Sequence, residues 1–116
     1  MREFQVGFHI TGTLAANASI VWTAPFDCQL VHISAVGSNA NNGLMTIGNT
    51  STADAYLTSA SIGDSNVPVE FARSSFVGTE FPHIADGTVL AVALDYDGAG
   101  GTATANFTLV LTFTVG

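Results

Sequence analysis

Apolar and polar residues alternate with a period of two along most of the chain. Near the N-terminus, Phe4, Val6, Phe8 and Ile10 alternate with polar residues and glycine, which predicts a β-strand with one buried face. The clearest alternation covers residues 102–115, where the opposite face is mostly threonine. Its apolar face comprises Ala103, Ala105, Phe107, Leu109, Leu111, Phe113 and Val115. This pattern is typical of an antiparallel sheet that is packed on one side.

Shorter strands are predicted between these two segments. They cover residues 20–22, 28–36, 44–47, 69–71 and 88–95. Residues 55–62 fit either a strand or a single helical turn, and residues 73–82 are predicted to be irregular. Residues 89–94 are apolar on both faces, with small alanines on one of them. This predicts a central strand whose alanine side is covered by a loop or a neighbouring subunit.

Some eight short strands, separated by turn-forming residues and without a convincing amphipathic helix, predict an all-β fold. The prediction is an antiparallel β-sandwich, best described as a jelly roll of two four-stranded sheets. Another Greek-key sandwich is the alternative. The chain shows no internal repeat and no linker, so residues 1–116 are expected to form one domain.

Charged residues make up only 9% of the chain, whereas about 25% is typical of a soluble domain. The chain contains no lysine, and its nine acidic residues against Arg2 and Arg73 give a net charge of −7. With no basic patch to displace counterions from phosphates, nucleic acid is not an expected partner. No apolar run approaches the roughly 18 residues that a membrane-spanning helix needs, so no membrane partner is expected either.

The low charge content also bears on assembly. A soluble monomer usually carries roughly 25–35% charged residues on its surface, and the cores of protein interfaces are depleted in charge. A homo-oligomer is therefore predicted, with a monomer coated by neutral polar residues as the alternative. Arg73 is expected to pair with a carboxylate such as Glu70 or Glu80, within or between subunits. Cys28 is the single cysteine, so no intramolecular disulfide is expected, and the alternation near the N-terminus argues against a signal peptide.

Residues 94–105 read LDYDGAGGTATA and suggest three kinds of loop. A phosphate-binding loop needs a helix after its glycines, but a period-two strand follows, so this hypothesis is set aside. Asp95 and Asp97 lie on the same side of a strand and are weak candidates for a Ca²⁺ site, although the full calcium-loop pattern is absent. The favoured interpretation is a glycine-rich hairpin between two long strands.

Two further groups of residues are typical of enzyme or metal sites, but their surroundings in the sequence argue against both. Gly63-Asp64-Ser65 resembles the nucleophile motif of GDSL-type hydrolases, but no helix follows the serine, so a turn is favoured. Cys28 and His32 share a face of the predicted strand, but four residues span about 13 Å, which is too far for one metal ion. His9, His32 and His83 are therefore expected to be separate histidines in the core or at an interface. No catalytic residue, cofactor or metal is assigned.

Trp22, Phe26 and Tyr56 are aromatic residues that could stack on a sugar ring, as in carbohydrate-binding modules. Single aromatic residues in a β domain more often belong to its core. The core interpretation is therefore favoured for all three residues.

Three segments resemble small jelly-roll structural proteins of tailed bacteriophages, especially head decoration (capsid-cementing) proteins. The first is TAPFDCQL running into VHISA from residue 23, and the second is IGDS from residue 62 with Pro68 and Glu70-Phe71. The third is ADGT from residue 85, leading to LDYDG at residues 94–98. The resemblance implies a homo-oligomer, usually a trimer, on the capsid exterior at junctions between major capsid subunits. It also implies synthesis in the host cytoplasm.

The resemblance therefore implies a non-enzymatic virion protein that stabilises the phage head. Phe4, Val6 and Phe8 of the first strand are the expected contacts with a neighbour or with the capsid, because a terminal strand can extend another sheet. Arg73 is a further interface candidate. The alternative is a carbohydrate- or receptor-binding β-sandwich of a phage fibre or adhesin.

Overall fold

Nine β-strands make up most of residues 2–115, the part of the chain that the computed structural model describes. The strands are β1 (Arg2–Thr13), β2 (Ala18–Thr23), β3 (Cys28–Val36), β4 (Leu44–Asn49), β5 (Leu57–Ser61), β6 (Val69–Phe71), β7 (His83–Ile84), β8 (Val89–Asp95) and β9 (Ala105–Val115). Two short 3-10 turns, Arg73–Ser75 and Val77–Thr79, lie in the segment predicted to be irregular. No helix within residues 2–115 is long and apolar enough to cross a membrane.

The strands form two sheets with entirely antiparallel pairing. Sheet A has the order β1-β9-β3-β6, with the two-residue β7 also paired to β3, and sheet B has the order β2-β8-β4-β5. The first four strands alternate between the sheets, and so do the last two. This strand order is that of an eight-stranded jelly roll, so the predicted fold class is confirmed.

The inner faces of the two sheets form one apolar core. Phe107, Leu109, Leu111 and Phe113 of β9 are fully buried, as the alternation in the sequence predicted. The other large buried side chains come mainly from β3, β4 and β8: Leu30, Ile33, Met45, Ile47, Leu90 and Leu94. The threonine face of β9 therefore lies on the outside of sheet A.

The strand predicted over residues 102–115 begins later, at Ala105. Asn106 has a φ of +51°, and the pairing between β1 and β9 shifts register between Ile10 and Thr13. The Asn106 side chain accepts a hydrogen bond from the Gly12 amide at 2.8 Å. This bulge ends the alternation, so Thr104 is buried rather than exposed on the threonine face.

β8 is a central strand, as predicted, with β2 on one side and β4 on the other. Part of its alanine side is covered by the chain itself. Gly48 pairs with Ala91, and a Cβ at position 48 would collide with the backbone of Thr52 and Ala53. The loop after β4 therefore lies directly over this part of sheet B.

The prediction of a hairpin between residues 88–95 and 102–115 is wrong. β8 ends at Asp95 in sheet B, whereas β9 begins at Ala105 in sheet A. The glycine-rich segment therefore carries the chain from one sheet to the other. A jelly roll requires this crossing, and a period-two pattern does not distinguish it from a hairpin, because each strand buries one face in both arrangements.

Candidate interaction surface

The edge of sheet A formed by β1 is the longest strand edge available for a partner. The 12-residue β1 pairs with β9 along one side and stands at the end of the strand order. Its other side has no hydrogen-bonded neighbour among the described residues. Edge strands in soluble proteins are usually short, or are protected by lysine, proline or bulges. Between Arg2 and Ile10 this strand has none of these features.

The backbone groups at this free edge can be assigned from the hydrogen bonds of β3. The Leu30 amide donates to the Pro82 carbonyl oxygen at 3.0 Å, so it points away from β9. Phe113, opposite Leu30, must therefore direct its amide and carbonyl toward Phe4, because these groups alternate in an antiparallel sheet. The residues whose amide and carbonyl groups face the free edge are consequently Glu3, Gln5, Gly7 and His9.

The side chains of β1 differ between its two faces. Phe4, Val6, Phe8 and Ile10 are half-buried and pack against the core cluster. Gln5 and His9 lie on the outer face, where they contact threonines of β9: Gln5 Nε2 donates to Thr112 Oγ1 at 3.2 Å, and His9 Nδ1 lies 2.8 Å from Thr108 Oγ1. The predicted interface residues Phe4, Val6 and Phe8 thus lie along an open edge, with their apolar surface only partly covered.

Four aromatic side chains close the sandwich where the two edge strands β1 and β2 come together. We call Phe4, Trp22, Phe26 and Phe113 the aromatic seam. The Phe4 ring stacks on Phe113 with a centroid distance of 5.0 Å and meets Phe26 edge-on at 5.4 Å. The Trp22 ring lies 4.8 Å from Phe113. Phe113 is fully buried, whereas Phe26 is 42% exposed, so the seam extends from the core to the surface.

Tyr56 is not part of this seam, and its hydroxyl lies 3.5 Å from Asn49 Nδ2. The three aromatic residues that suggested a sugar site are therefore not brought together as a set. Trp22 and Phe26 do share the seam.

The outer face of sheet B carries small and apolar residues. Val21 is 63% exposed and lies opposite Ala91. Beside it is a shallow depression of about 320 Å³, whose lining includes Ser19, Thr46, Ala93 and Asp95. Ala93 is exposed in this chain, so the loop after β4 covers only part of the alanine side. The predicted cover by a neighbouring subunit stays a prediction.

Asp95 and Asp97 do not share a strand face, which corrects the basis of the weak calcium prediction. Asp95 ends β8, whereas Asp97 lies in the following turn and accepts a hydrogen bond from the Ala99 amide at 3.1 Å. Within residues 2–115 there is no group of three or more His, Cys, Asp or Glu side chains placed to hold a metal ion.

The turn after β8 is held by Asn42 from the 37–43 loop, a contact that the sequence analysis missed. The Asn42 side-chain oxygen accepts from the Thr102 backbone N–H at 2.7 Å, and the Asn42 backbone N–H donates to the Thr102 carbonyl oxygen at 3.0 Å. A Cβ at Gly98 would collide with the Asn42 carbonyl oxygen. Gly98 thus serves close packing, and the only available signal in the sequence is the concentration of asparagine in the 37–43 loop.

The histidines and Cys28 are dispersed over the molecule. A register shift between Leu30 and His32 places His32 on the outer surface, where its Nε2 lies 3.1 Å from Glu70 Oε1. Cys28 points into the core. The prediction that these two residues share a face is therefore wrong, because one extra residue in a strand reverses the orientation of those that follow.

Arg73 does not pair with a carboxylate inside the described chain. Its Nε donates to the Thr79 carbonyl oxygen at 3.4 Å, and Glu70, one of its predicted partners, contacts His32 instead. Its predicted role between subunits stays a prediction.

Ser65 of the Gly63-Asp64-Ser65 motif lies in a tight turn, as predicted. Its φ is +51°, and its amide donates to the Asn39 carbonyl oxygen at 3.0 Å. The next regular element is β6, so no helix presents its N-terminus to the serine.

Neither a family model nor a curated protein sequence matches this chain. Among solved structures, the fold is similar to that of a chain described as "Cyanophage Pam1 capsid asymmetric unit", with a TM-score of 0.58 and 13% sequence identity. The likeness covers 99% of this chain and 84% of that chain. It establishes a shared fold along nearly the whole described chain.

Proposed function

We propose that this protein is a non-enzymatic virion component, a decoration protein that cements the phage head as a homo-oligomer. The observation that carries the proposal is the fold shared over 99% of the chain with a chain of a phage capsid asymmetric unit. The resemblance of the sequence to head decoration proteins supports the same assignment. In this role the protein binds the major capsid protein at the capsid exterior, and the resemblance implies a trimer.

The proposed mechanism is mechanical. A protein that contacts two neighbouring capsid subunits adds buried area that must be lost before the subunits can separate. Buried apolar surface contributes roughly 25 cal/mol per Å² before the cost of association is subtracted. Exposed apolar side chains such as Val21, on the outer face of sheet B, are suited to such a contact.

The surface chemistry agrees with assembly. Only 9% of residues are charged, and large areas such as the outer face of sheet B present serine, threonine, alanine and valine. Burying such a surface against another protein avoids the desolvation cost of charged side chains. This composition is expected of a subunit that functions in an assembly rather than as a free monomer.

Co-sedimentation with phage heads tests the proposal. Heads assembled without this protein are mixed with the purified chain and pelleted, and heads that already carry their full complement serve as the control. We expect saturable binding to the first and little binding to the second. Absence of binding to the unoccupied heads would contradict a decoration role.

Glycan binding is the second candidate, and a single observation favours it. Phe26 is 42% exposed and meets Phe4 in the aromatic seam, and exposed aromatic rings are common in sugar sites. A glycan array with the wild-type protein and the Phe26→Ala variant separates the two functions. Reproducible glycan signals that the substitution removes would favour the second candidate.

A further inference from the structure

We propose that two copies of this chain pair through their β1 edges, in antiparallel orientation, about a twofold axis at Gly7. The two copies of sheet A then form one continuous sheet. The inference deepens the proposed function: it rests on the homo-oligomer proposed there and identifies one of its contacts. It gives that oligomer an even number of chains, in place of the trimer that the resemblance implies. It leaves the contact with the capsid to other surfaces.

The backbone of β1 is arranged for this pairing. The amide and carbonyl groups of the odd-numbered residues from Glu3 to His9 face the open edge, as the hydrogen bonds of β3 require. A second β1 strand in antiparallel orientation presents the same groups in reverse order. With Gly7 opposite Gly7, Gln5 lies opposite His9, and both pairs are of the hydrogen-bonded type.

The side chains match in the same register. On the inner face Val6 lies opposite Phe8, and Phe4 lies opposite Ile10. These apolar side chains are half-buried in one copy, so the second copy covers the surface that remains open. On the outer face Gln5 lies beside His9, and Gly7 lies opposite Gly7 at the axis.

The local charge of the β1 edge does not oppose a second copy there. Each chain carries a net charge of −7, so two copies repel each other over most orientations. The β1 strand contains only Arg2 and Glu3, which cancel. In the proposed register these residues lie opposite Gly12 and Thr11, so no two carboxylates face each other.

The other strand edges are less suited to this contact. β6 and β7 at the opposite edge of sheet A contain three and two residues. β5 has five residues and an irregular register with β4, and β2 has six residues. The 12-residue β1 therefore offers the longest run of unpaired backbone groups in the described chain.

Two substitutions at one position test the backbone pairing. Gly7→Pro removes the edge amide and fills its place with a ring, but keeps the bonds to β9, which use the even-numbered residues. Gly7→Ala is the matched control, because it keeps the amide and its Cβ lies 3.9 Å from the nearest atom, the Leu109 carbonyl oxygen. We expect light scattering to give an even multiple of 11.9 kDa for wild type and Gly7→Ala, and half that mass for Gly7→Pro.

A monomer or a trimer for the wild-type protein would overturn the inference, and so would an unchanged mass for a folded Gly7→Pro variant. Circular dichroism establishes whether that variant is folded. Because proline substitution carries a risk of misfolding, a cross-linking experiment provides an independent test.

Cysteine cross-linking tests the register directly. In the proposed dimer the two Gly7 Cα atoms lie about 5.5 Å apart, within the range of a disulfide, whereas the two His9 Cα atoms are offset by four residues, roughly 13 Å. Mild oxidation should therefore link Gly7→Cys into a covalent dimer and leave His9→Cys and wild type unlinked. Failure of Gly7→Cys to cross-link would overturn the register.

The outcomes separate this inference from the proposed function. If heads bind the protein but Gly7→Cys does not cross-link, the β1 pairing is wrong and the decoration role stands. If Gly7→Cys cross-links but heads do not bind the protein, the pairing stands and the decoration role is wrong.

Discussion

The hydroxyl group of Thr104 lies inside the sandwich, where it donates a hydrogen bond to the Tyr96 carbonyl oxygen at 2.9 Å. Its side chain is fully buried, although the sequence pattern placed it on the exposed threonine face of the last strand. The difference arises from the positive φ at Asn106, which nothing in a binary pattern of apolar and polar residues reveals.

Replacing Thr104 by valine keeps the shape of the side chain but removes this hydrogen bond. We expect the free energy of unfolding to fall by about 1 kcal/mol, the usual net value of a buried hydrogen bond, as measured by chemical denaturation. Thr58→Val on the exposed surface of β5 is the control and should change stability little. Equal effects of the two substitutions would contradict the structural role of the Thr104 hydroxyl.

Cys28 provides a second prediction at the residue scale. Burial, with a smaller contribution from the Asp27 carboxylate, raises the pKa of the Cys28 thiol above its ordinary value of 9.0. The unfolded chain therefore loses this proton at lower pH than the native protein does. The stability contribution is fully present below pH 9.0 and is lost as the pH rises through the native pKa.

We therefore expect the free energy of unfolding to decline at alkaline pH more steeply for wild type than for Cys28→Ala. Denaturation at a series of pH values measures the difference. The native thiol should also react slowly with an alkylating reagent at neutral pH. Rapid modification of the native protein would show that Cys28 is accessible.

At the scale of elements, the extent of most strands follows from sequence, but their partners do not. The predicted strand 28–36 coincides with β3 (Cys28–Val36), and 88–95 differs from β8 by one residue. Alternation records which face of a strand is buried and carries no information about the sheet to which the strand belongs. The pattern alone therefore does not distinguish the crossing between sheets after Asp95 from a hairpin.

Bulges limit the prediction of which side chains share a strand face, for a related reason. The irregularity between Leu30 and His32 separates Cys28 from His32, because one extra residue turns all later side chains to the opposite face. The open β1 edge was only partly predictable. The sequence indicated a terminal strand, but the direction of its free backbone groups follows from the pairing of β3 with β9.

Alanine substitutions in the aromatic seam should lower the free energy of unfolding more at its buried end than at its exposed end. Phe113 is fully buried and contacts both Phe4 and Trp22, so Phe113→Ala should cost about 3–5 kcal/mol. Phe26→Ala should cost much less, because Phe26 is 42% exposed. Denaturant titration of both variants tests the gradient, and comparable losses would show that the outer part of the seam is as important as its buried part.

At the scale of the whole molecule, the net charge of −7 opposes self-association. The proposed β1 contact contains apolar pairs and backbone hydrogen bonds and no ion pair between subunits. Salt therefore screens the repulsion between copies without weakening an attraction. We expect the dissociation constant of the dimer to stay constant or fall as sodium chloride is raised, as measured by sedimentation equilibrium. Weaker association at high salt would instead indicate ion pairs across the interface.

Cementing is the central claim, and the temperature at which DNA-filled heads release their DNA tests it most directly. Heads assembled without this protein are titrated with the purified chain, and DNA release on heating is followed with a fluorescent dye. We expect a release temperature that rises with added protein and reaches a plateau when all binding positions are filled. A release temperature that stays unchanged while the protein is bound to the heads would contradict a cementing role.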